Sequence, residues 1–183
     1  MMYFTADTHF GHENIIKLCN RPFKTIEEMN EALIKNWNSK VCGADTVYII
    51  GDMFFRCKDA TPILNRLKGK KHLIIGNHDS SWMDTVDLEK YFVEVSDFKI
   101  ITNSQHAITL CHYPLLTWKH EKRSYMVHGH LHADTTDDFF PLLCRREKLL
   151  NAGVDVNGFA PVTFEELTEN NIRFKKQYIK RTE

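Results

Sequence analysis

TVYIIGD, residues 46–52, sets five β-favouring side chains in a row and stops at Gly51-Asp52. Short runs of β-branched and aromatic residues suit buried strands. What makes this one decisive is its recurrence. Met2 to Ala6 runs into Asp7-Thr-His9, Lys71 to Ile75 into Gly76-Asn-His-Asp79, Ala107 to Cys111 into His112, and Tyr125 to Val127 into His128-Gly-His-Leu-His132. Loops leaving strand ends are where α/β proteins gather functional side chains, so the five polar clusters are expected to converge.

Between the first two strands, Thr25 to Ser39 reads as a helix. Thr25-x-x-Glu28 is a capping box, and Ile26, Met29, Leu33 and Trp37 recur at three- and four-residue spacing. Shorter helices are expected at Pro62 to Leu67 and Met83 to Tyr91, and a second capping box, Thr163-x-x-Glu166, opens one over Thr163 to Asn170. Strand, helix, strand, helix, strand implies parallel crossover units in the first half. From Val93 onward denser alternation suggests a β-rich, partly antiparallel half. The tail from Arg173 to Arg181, alternating with Ile172, Phe174 and Tyr178, reads as a last edge strand protected by charge.

The 183 residues are expected to form a single domain, 1–183, that buries roughly 70% of its unfolded surface. Lys and Arg total 24, as do Asp and Glu, which argues against disorder and gives no strong nucleic-acid-binding signal. Five scattered cysteines without a CxxC pair read as free thiols in a reducing compartment. MMYFTADTHF has no basic segment followed by an apolar one, and no apolar run reaches the roughly 18 residues of a membrane span. A soluble, cytoplasmic protein with no membrane partner is therefore the expectation.

Asp7, His9, Asp52, Asn77, His78, Asp79, His112, His128, His130 and His132 stand at the strand ends and offer carboxylate, imidazole and carboxamide donors without thiolate. Such a set favours manganese, iron, zinc, cobalt or nickel over an iron–sulfur cluster. The candidates are too many for one tetrahedral ion, and two ions sharing a carboxylate would employ them all.

These residues, taken in order, resemble the five motifs of the calcineurin-like metallophosphoesterase superfamily, and TADTHFGHENI (residues 5–15) resembles its small single-domain bacterial and phage members. The resemblance implies an α/β fold in which two mixed β-sheets pack as a sandwich flanked by helices. It implies one ion on Asp7, His9, Asp52 and His132, a second on Asp52, Asn77, His112 and His130, and Asp52 as the bridge. Two such ions lower the pKa of a shared water and supply a bridging hydroxide as nucleophile. His78 is then the general acid, with Asp79 orienting it.

His128 matches no family ligand and reads as a packing histidine. Glycines 51, 76 and 129 are read as turn residues. GDMFFRCKD (residues 51–59) lacks the second acidic residue of many relatives, so Phe54 and Phe55 are taken as an apolar wall. Substrate contacts are expected from His12, Asn14 and Arg56, with Asn14 as an alternative cap for a helix beginning at Ile15. Residues 133–138 and the Lys119 to Arg123 stretch read as solvated, and Asp155 as a support beneath the site.

The reading is a dinuclear-metal phosphoester hydrolase, manganese first among its metals. An open site favours a phosphodiesterase acting on a nucleotide-like substrate. The alternatives are a phosphomonoesterase or protein phosphatase, and a non-catalytic protein-binding scaffold of the same fold. Oligomeric state is not fixed by the sequence.

Overall fold

A computed structural model describes residues 1–103 and 105–182, and its strands alternate their two faces with period two. β1 (Met2–Thr5) leads through α1 (Glu13–Leu18) and α2 (Ile26–Lys40) to β2 (Thr46–Ile50). Then come α3 (Thr61–Leu64), β3 (Lys70–Ile74), α4 (Ser80–Met83), α5 (Leu88–Tyr91) and β4 (Phe92–Ser96). These strands pair in chain order, all parallel, and an antiparallel bridge from Phe4 to Val162 makes the first sheet mixed. β5 (Phe98–Thr102) pairs antiparallel with β6 (Ala107–Cys111), which pairs parallel with β7 (Tyr125–His128). After α6 (Phe140–Cys144), β8 (Leu149–Asn151) joins β7 in parallel, and α7 (Phe164–Thr182) follows.

Tyr3, Val47, Ile49 and Leu73 pack against Met29, Leu33, Ile34 and Trp37 of α2. One residue on, Phe4, Tyr48, Ile50 and Ile74 pack against Ile108, Leu110, Val127 and Leu150 of the second sheet. Met126 and Leu149 face outward again, onto Leu131 and Leu143. The result is the expected sandwich of two mixed sheets flanked by helices. Each fully buried side chain of this kind contributes roughly 1.5–3 kcal/mol. A one-residue slip of any strand would turn its whole core face outward, so register is firmly set.

The capping box at α2 forms in part as read: Glu28 N–H donates to Thr25 Oγ1 at 3.2 Å, while the Glu28 carboxylate accepts from Lys24 N–H instead of Thr25. The expected helix over Pro62 to Leu67 shortens to α3, and Met83 to Tyr91 divides into α4 and α5. Larger is the correction at the C-terminus. Arg173 to Arg181 is not an edge strand but lies within the helix α7. Its start is fixed by the reciprocal bonds between Thr163 and Glu166, and no Gly or Pro interrupts it before Thr182. Leu167 and Asn171 form a buried helical row that the alternation of Ile172 and Phe174 disguised. Asn171 Oδ1 accepts from Asn151 N–H at 2.7 Å, so the edge of β8 is covered by this helix.

All five cysteines are free thiols. Among the described residues no helix is long and apolar enough to cross a membrane.

Candidate metal centre

Parallel strands send their C-terminal ends the same way, and each candidate ligand sits just beyond one: Asp7 after β1, Asp52 after β2, Asn77 after β3, His112 after β6, His130 and His132 after β7. The backbone there is unusual. Asp7 (φ 55°), His9 (49°), Asp52 (54°), His130 (70°) and His132 (50°) are all left-handed, five of the nine such non-glycine residues described. That conformation costs roughly 1–3 kcal/mol per residue and persists only where surroundings enforce it. Close packing is part of the enforcement. A Cβ on Gly51, itself at φ 82°, would lie 2.3 Å from His112 Nδ1, and one on Gly76 would lie 2.3 Å from Asp52 Oδ1. At Gly76 close approach matters, not the turn freedom that the sequence suggested.

Asp52 occupies the middle. Its Oδ1 accepts from His78 N–H at 2.9 Å, while Oδ2 faces His112 Nε2 at 3.5 Å and His9 Nε2 at 3.7 Å. These separations are too long for hydrogen bonds and suit two donors that meet one ion at about 2.1 Å each. Asp7, His9 and His132 each bring a ligand atom within 4.8 Å of the other two, as do Asp7, Asp52 and His112. Asn77 Oδ1 lies 3.0 Å from both His112 Nε2 and His130 Nδ1. Ring orientation is set from behind: His112 Nδ1 bonds Ile50 O at 2.9 Å, which leaves Nε2 facing Asp52.

The donor set fits a divalent ion. Asp7 Oδ2 and both ring nitrogens of His9 are buried with no hydrogen-bond partner among the described residues. Leaving such atoms bare costs about 1–3 kcal/mol apiece, more for a charge. A cation would satisfy Asp7 Oδ2 and one ring nitrogen of His9. Burial lowers the pKa of His9 to about 2, helped by neighbouring His132, so the ring is neutral at neutral pH and one of its nitrogens has a lone pair free to ligate. Burial likewise lifts Asp7 to about 6, against the pull of His132 and His112. For His132 burial acts downward, but the Asp155 carboxylate overrides it and raises the ring to about 10, so a ligating His132 must first release a proton.

Asp79 does not orient His78. Its carboxylate is fully buried and accepts from Asp52 N–H (2.8 Å), Gly76 N–H (2.8 Å), Met53 N–H (2.9 Å) and Trp82 Nε1–H (2.8 Å). None of these bonds reaches the His78 ring. The Asp79 side chain ties the loop after β2 to the loop after β3, because amide donors from both converge on a short acceptor. His78 keeps its place beside the centre, with Nε2 3.9 Å from Asp52 Oδ2 and its side chain 40% exposed.

Phe54 belongs to the buried core, whereas Phe55 lines the site. The Phe55 ring stacks on His12 at 3.8 Å and meets the edge of His78 at 5.0 Å, and the Arg56 guanidinium lies 5.2 Å from its centroid. Asn14 is exposed and makes no cap: α1 begins at Glu13 with His12 in the capping position and without a side-chain cap bond. His128 is buried and turned away, its Nδ1 bonding Gly129 O at 2.8 Å. The acidic stretch after His132 is largely exposed, yet Asp134 and Asp137 also border a cleft of about 520 Å³ with Leu18, Asn20, His130 and His132.

One residue buried against the centre escaped the sequence reading. Arg21 is 4% exposed and forms a two-pronged pair with Asp155, Nε to Oδ1 at 2.8 Å and Nη2 to Oδ2 at 2.9 Å. Asp155 Oδ2 in turn accepts from His132 Nδ1 at 2.8 Å, the support expected of it. An arginine in CNRPF (residues 19–23) carries no local sign of this, since its partners are backbone carbonyls and a carboxylate 134 positions away.

The family profile described as calcineurin-like phosphoesterase matches residues 2–175. Uncharacterized protein MJ1445 of Methanocaldococcus jannaschii is 36% identical over 167 residues, 90% of this chain and 87% of that protein. Gene 66 protein of Mycobacterium phage L5 is 36% identical over 81 residues, 42% of this chain and 39% of its own length. Among solved structures, AQ665 of Aquifex aeolicus, described as a protein of unknown function, aligns with a TM-score of 0.73 at 30% identity, covering 92% of this chain and 98% of that one.

Proposed function

This chain belongs to the calcineurin-like phosphoesterase family, hydrolases acting on phosphoesters, and from that premise we propose that it is a cytoplasmic phosphodiesterase working with two divalent ions, manganese first. Asp7, His9, Asp52 and His132 would hold one ion; Asp52, Asn77, His112 and His130 the other. The observation that carries this reading is Asp52 Oδ2, flanked by His9 and His112 at ion-sharing rather than hydrogen-bonding distances. Two such ions supply hydroxide near neutral pH and neutralise charge on the phosphoryl oxygens.

The protein's own side chains do the rest. His78, exposed enough to meet a substrate and within reach of the centre, donates the proton that the leaving alkoxide needs. Phe55, wedged between His12 and His78, keeps water from that flank and holds the His78 ring edge-on. Arg56 is placed to meet a phosphate oxygen. The diester preference is supported by the open surroundings, where the cleft beside His130 and His132 leaves room for a second ester arm.

Hydrolysis of bis-p-nitrophenyl phosphate and p-nitrophenyl phosphate with added Mn²⁺ tests this. The diester is expected to be the better substrate, and Asp52→Ala to abolish turnover. His78→Ala should slow a diester with an alkyl leaving group by roughly 10²–10⁴-fold, and the p-nitrophenyl ester far less, because nitrophenolate departs without a proton. Preference for the monoester would overturn the diester reading. No turnover of any ester by metal-loaded protein would favour a scaffold.

A further inference from the structure

Every N–H of the Arg21 guanidinium is engaged, and every partner but one belongs to the metal centre or its support. Nη2 donates to Asp7 O at 2.7 Å and to Asp155 Oδ2; Nη1 donates to Thr8 O at 3.0 Å and meets Met29 Sδ at 3.6 Å; Nε donates to Asp155 Oδ1. The side chain has no solvent exposure. Asp7 O and Thr8 O belong to the two successive peptide groups that link Asp7 through Thr8 to His9, the two left-handed residues that offer ligand atoms from the first motif. Through Asp155, the same cation reaches the last motif at His132 Nδ1.

Resting on the two-ion reading above, we propose that Arg21 is a positioning residue for one ion of the pair, the one held by Asp7, His9 and His132. Its planar fork fixes the backbone that carries two ligands and locks Asp155. Asp155 then holds His132 by Nδ1, which leaves Nε2 as the only ring nitrogen able to ligate. Carboxylate–histidine–metal relays of this kind tune ligand orientation and basicity. Here the relay is anchored by a guanidinium that also grips the opposite ligand pair. Arg21 bonds none of Asn77, His112 and His130 directly; its one link toward that side runs through Asp7, whose Oδ1 accepts from His130 N–H at 3.0 Å, so its direct hold is on the Asp7, His9 and His132 side of Asp52. A lysine cannot replace it, because a single ammonium has neither the planar fork nor five fixed donors.

The test is Mn²⁺ binding to the full-length protein, by calorimetry and electron paramagnetic resonance, for wild type, Arg21→Met, Arg21→Lys and His132→Ala. Wild type is expected to bind two ions and to show the multiline spectrum of a coupled pair. Arg21→Met and Arg21→Lys should each weaken one ion by roughly 10- to 100-fold and leave the other near its wild-type affinity. At two equivalents of metal their spectra should revert toward the six lines of an isolated ion, as His132→Ala should. If Arg21→Met does not fold, Arg21→Lys, which keeps charge and stem, decides alone. Two ions bound at wild-type affinity with an unchanged coupled spectrum in both variants would overturn the proposal. So would equal weakening of both ions, the mark of a general structural role. Wild type that binds no Mn²⁺ would instead sink the two-ion reading itself.

Discussion

Asp79 shows how a single residue can be read correctly as important and wrongly as to why. Position and type in GNHD make it a neighbour of His78, the proposed general acid, and that much is local. Its four donors come from Asp52, Met53, Gly76 and Trp82, and only folding assembles them. Burial holds the carboxyl above its ordinary value, against the opposing bonds from Gly76, Trp82 and Met53. Asn at position 79 would aim an amide N–H₂ at donors that need an acceptor. Asp79→Asn is expected to destabilise the fold by roughly 2–4 kcal/mol, seen as a lower urea midpoint. Full stability with lost activity would restore the discarded role of orienting His78. The seven candidate ligands were legible one by one, since residue type and place after a strand are written in the chain. Arg21 was not, because nothing in its neighbours in sequence distinguishes it from a surface arginine.

Helix α7 carries the same lesson at the level of an element. Ile172, Phe174 and Tyr178 satisfy a period of two, whereas in the helix Phe174 and Tyr178, four apart, share a face onto Phe140 and Ile172 is exposed, so the alternation misled. The Thr163 and Glu166 bonds choose at one end, and contacts with the second sheet choose along the length. Lys175 is one such contact: its Nζ donates to Arg146 O at 2.7 Å and Leu149 O at 2.6 Å. Burial lowers its pKa to about 8, against the pull of Cys144 and Glu147. The folded state therefore holds this proton less tightly than the unfolded chain, whose lysine titrates near 10.4. Below about pH 8 both states are protonated and the full penalty applies; from there to about pH 10.5 the penalty fades. The unfolding free energy of wild type minus that of Lys175→Met should rise across this window, by at most about 3 kcal/mol. Urea titrations at pH 7.5, 9 and 10.5 measure it, and a flat difference would refute the burial argument.

For the molecule as a whole, the centre is where strain, bare donors and close packing accumulate together. Five left-handed candidate ligands and unpaired atoms on Asp7 and His9 weaken the metal-free fold, and an ion that binds only the folded state would offset that cost. Mn²⁺ at a hundredfold above its dissociation constant stabilises by about 2.7 kcal/mol, which for a chain of this size raises the melting temperature by roughly 5–10 °C. Thermal scans with Mn²⁺ and then with chelator check this; a melting temperature indifferent to every divalent ion would contradict it. By itself the sequence determined five of the eight described strands, the candidate ligand types at their ends and the family, because residue type and motif order are properties of neighbours along the chain. The tertiary structure alone decided which carboxylate supports which ligand, that Asp79 ties two loops, that α7 covers the edge of β8, and that Arg21 grips both ends of the centre. Those outcomes depend on which distant backbone amides and carbonyls meet in space, and hydrogen-bonding groups carried by every residue leave no mark in the order of side chains.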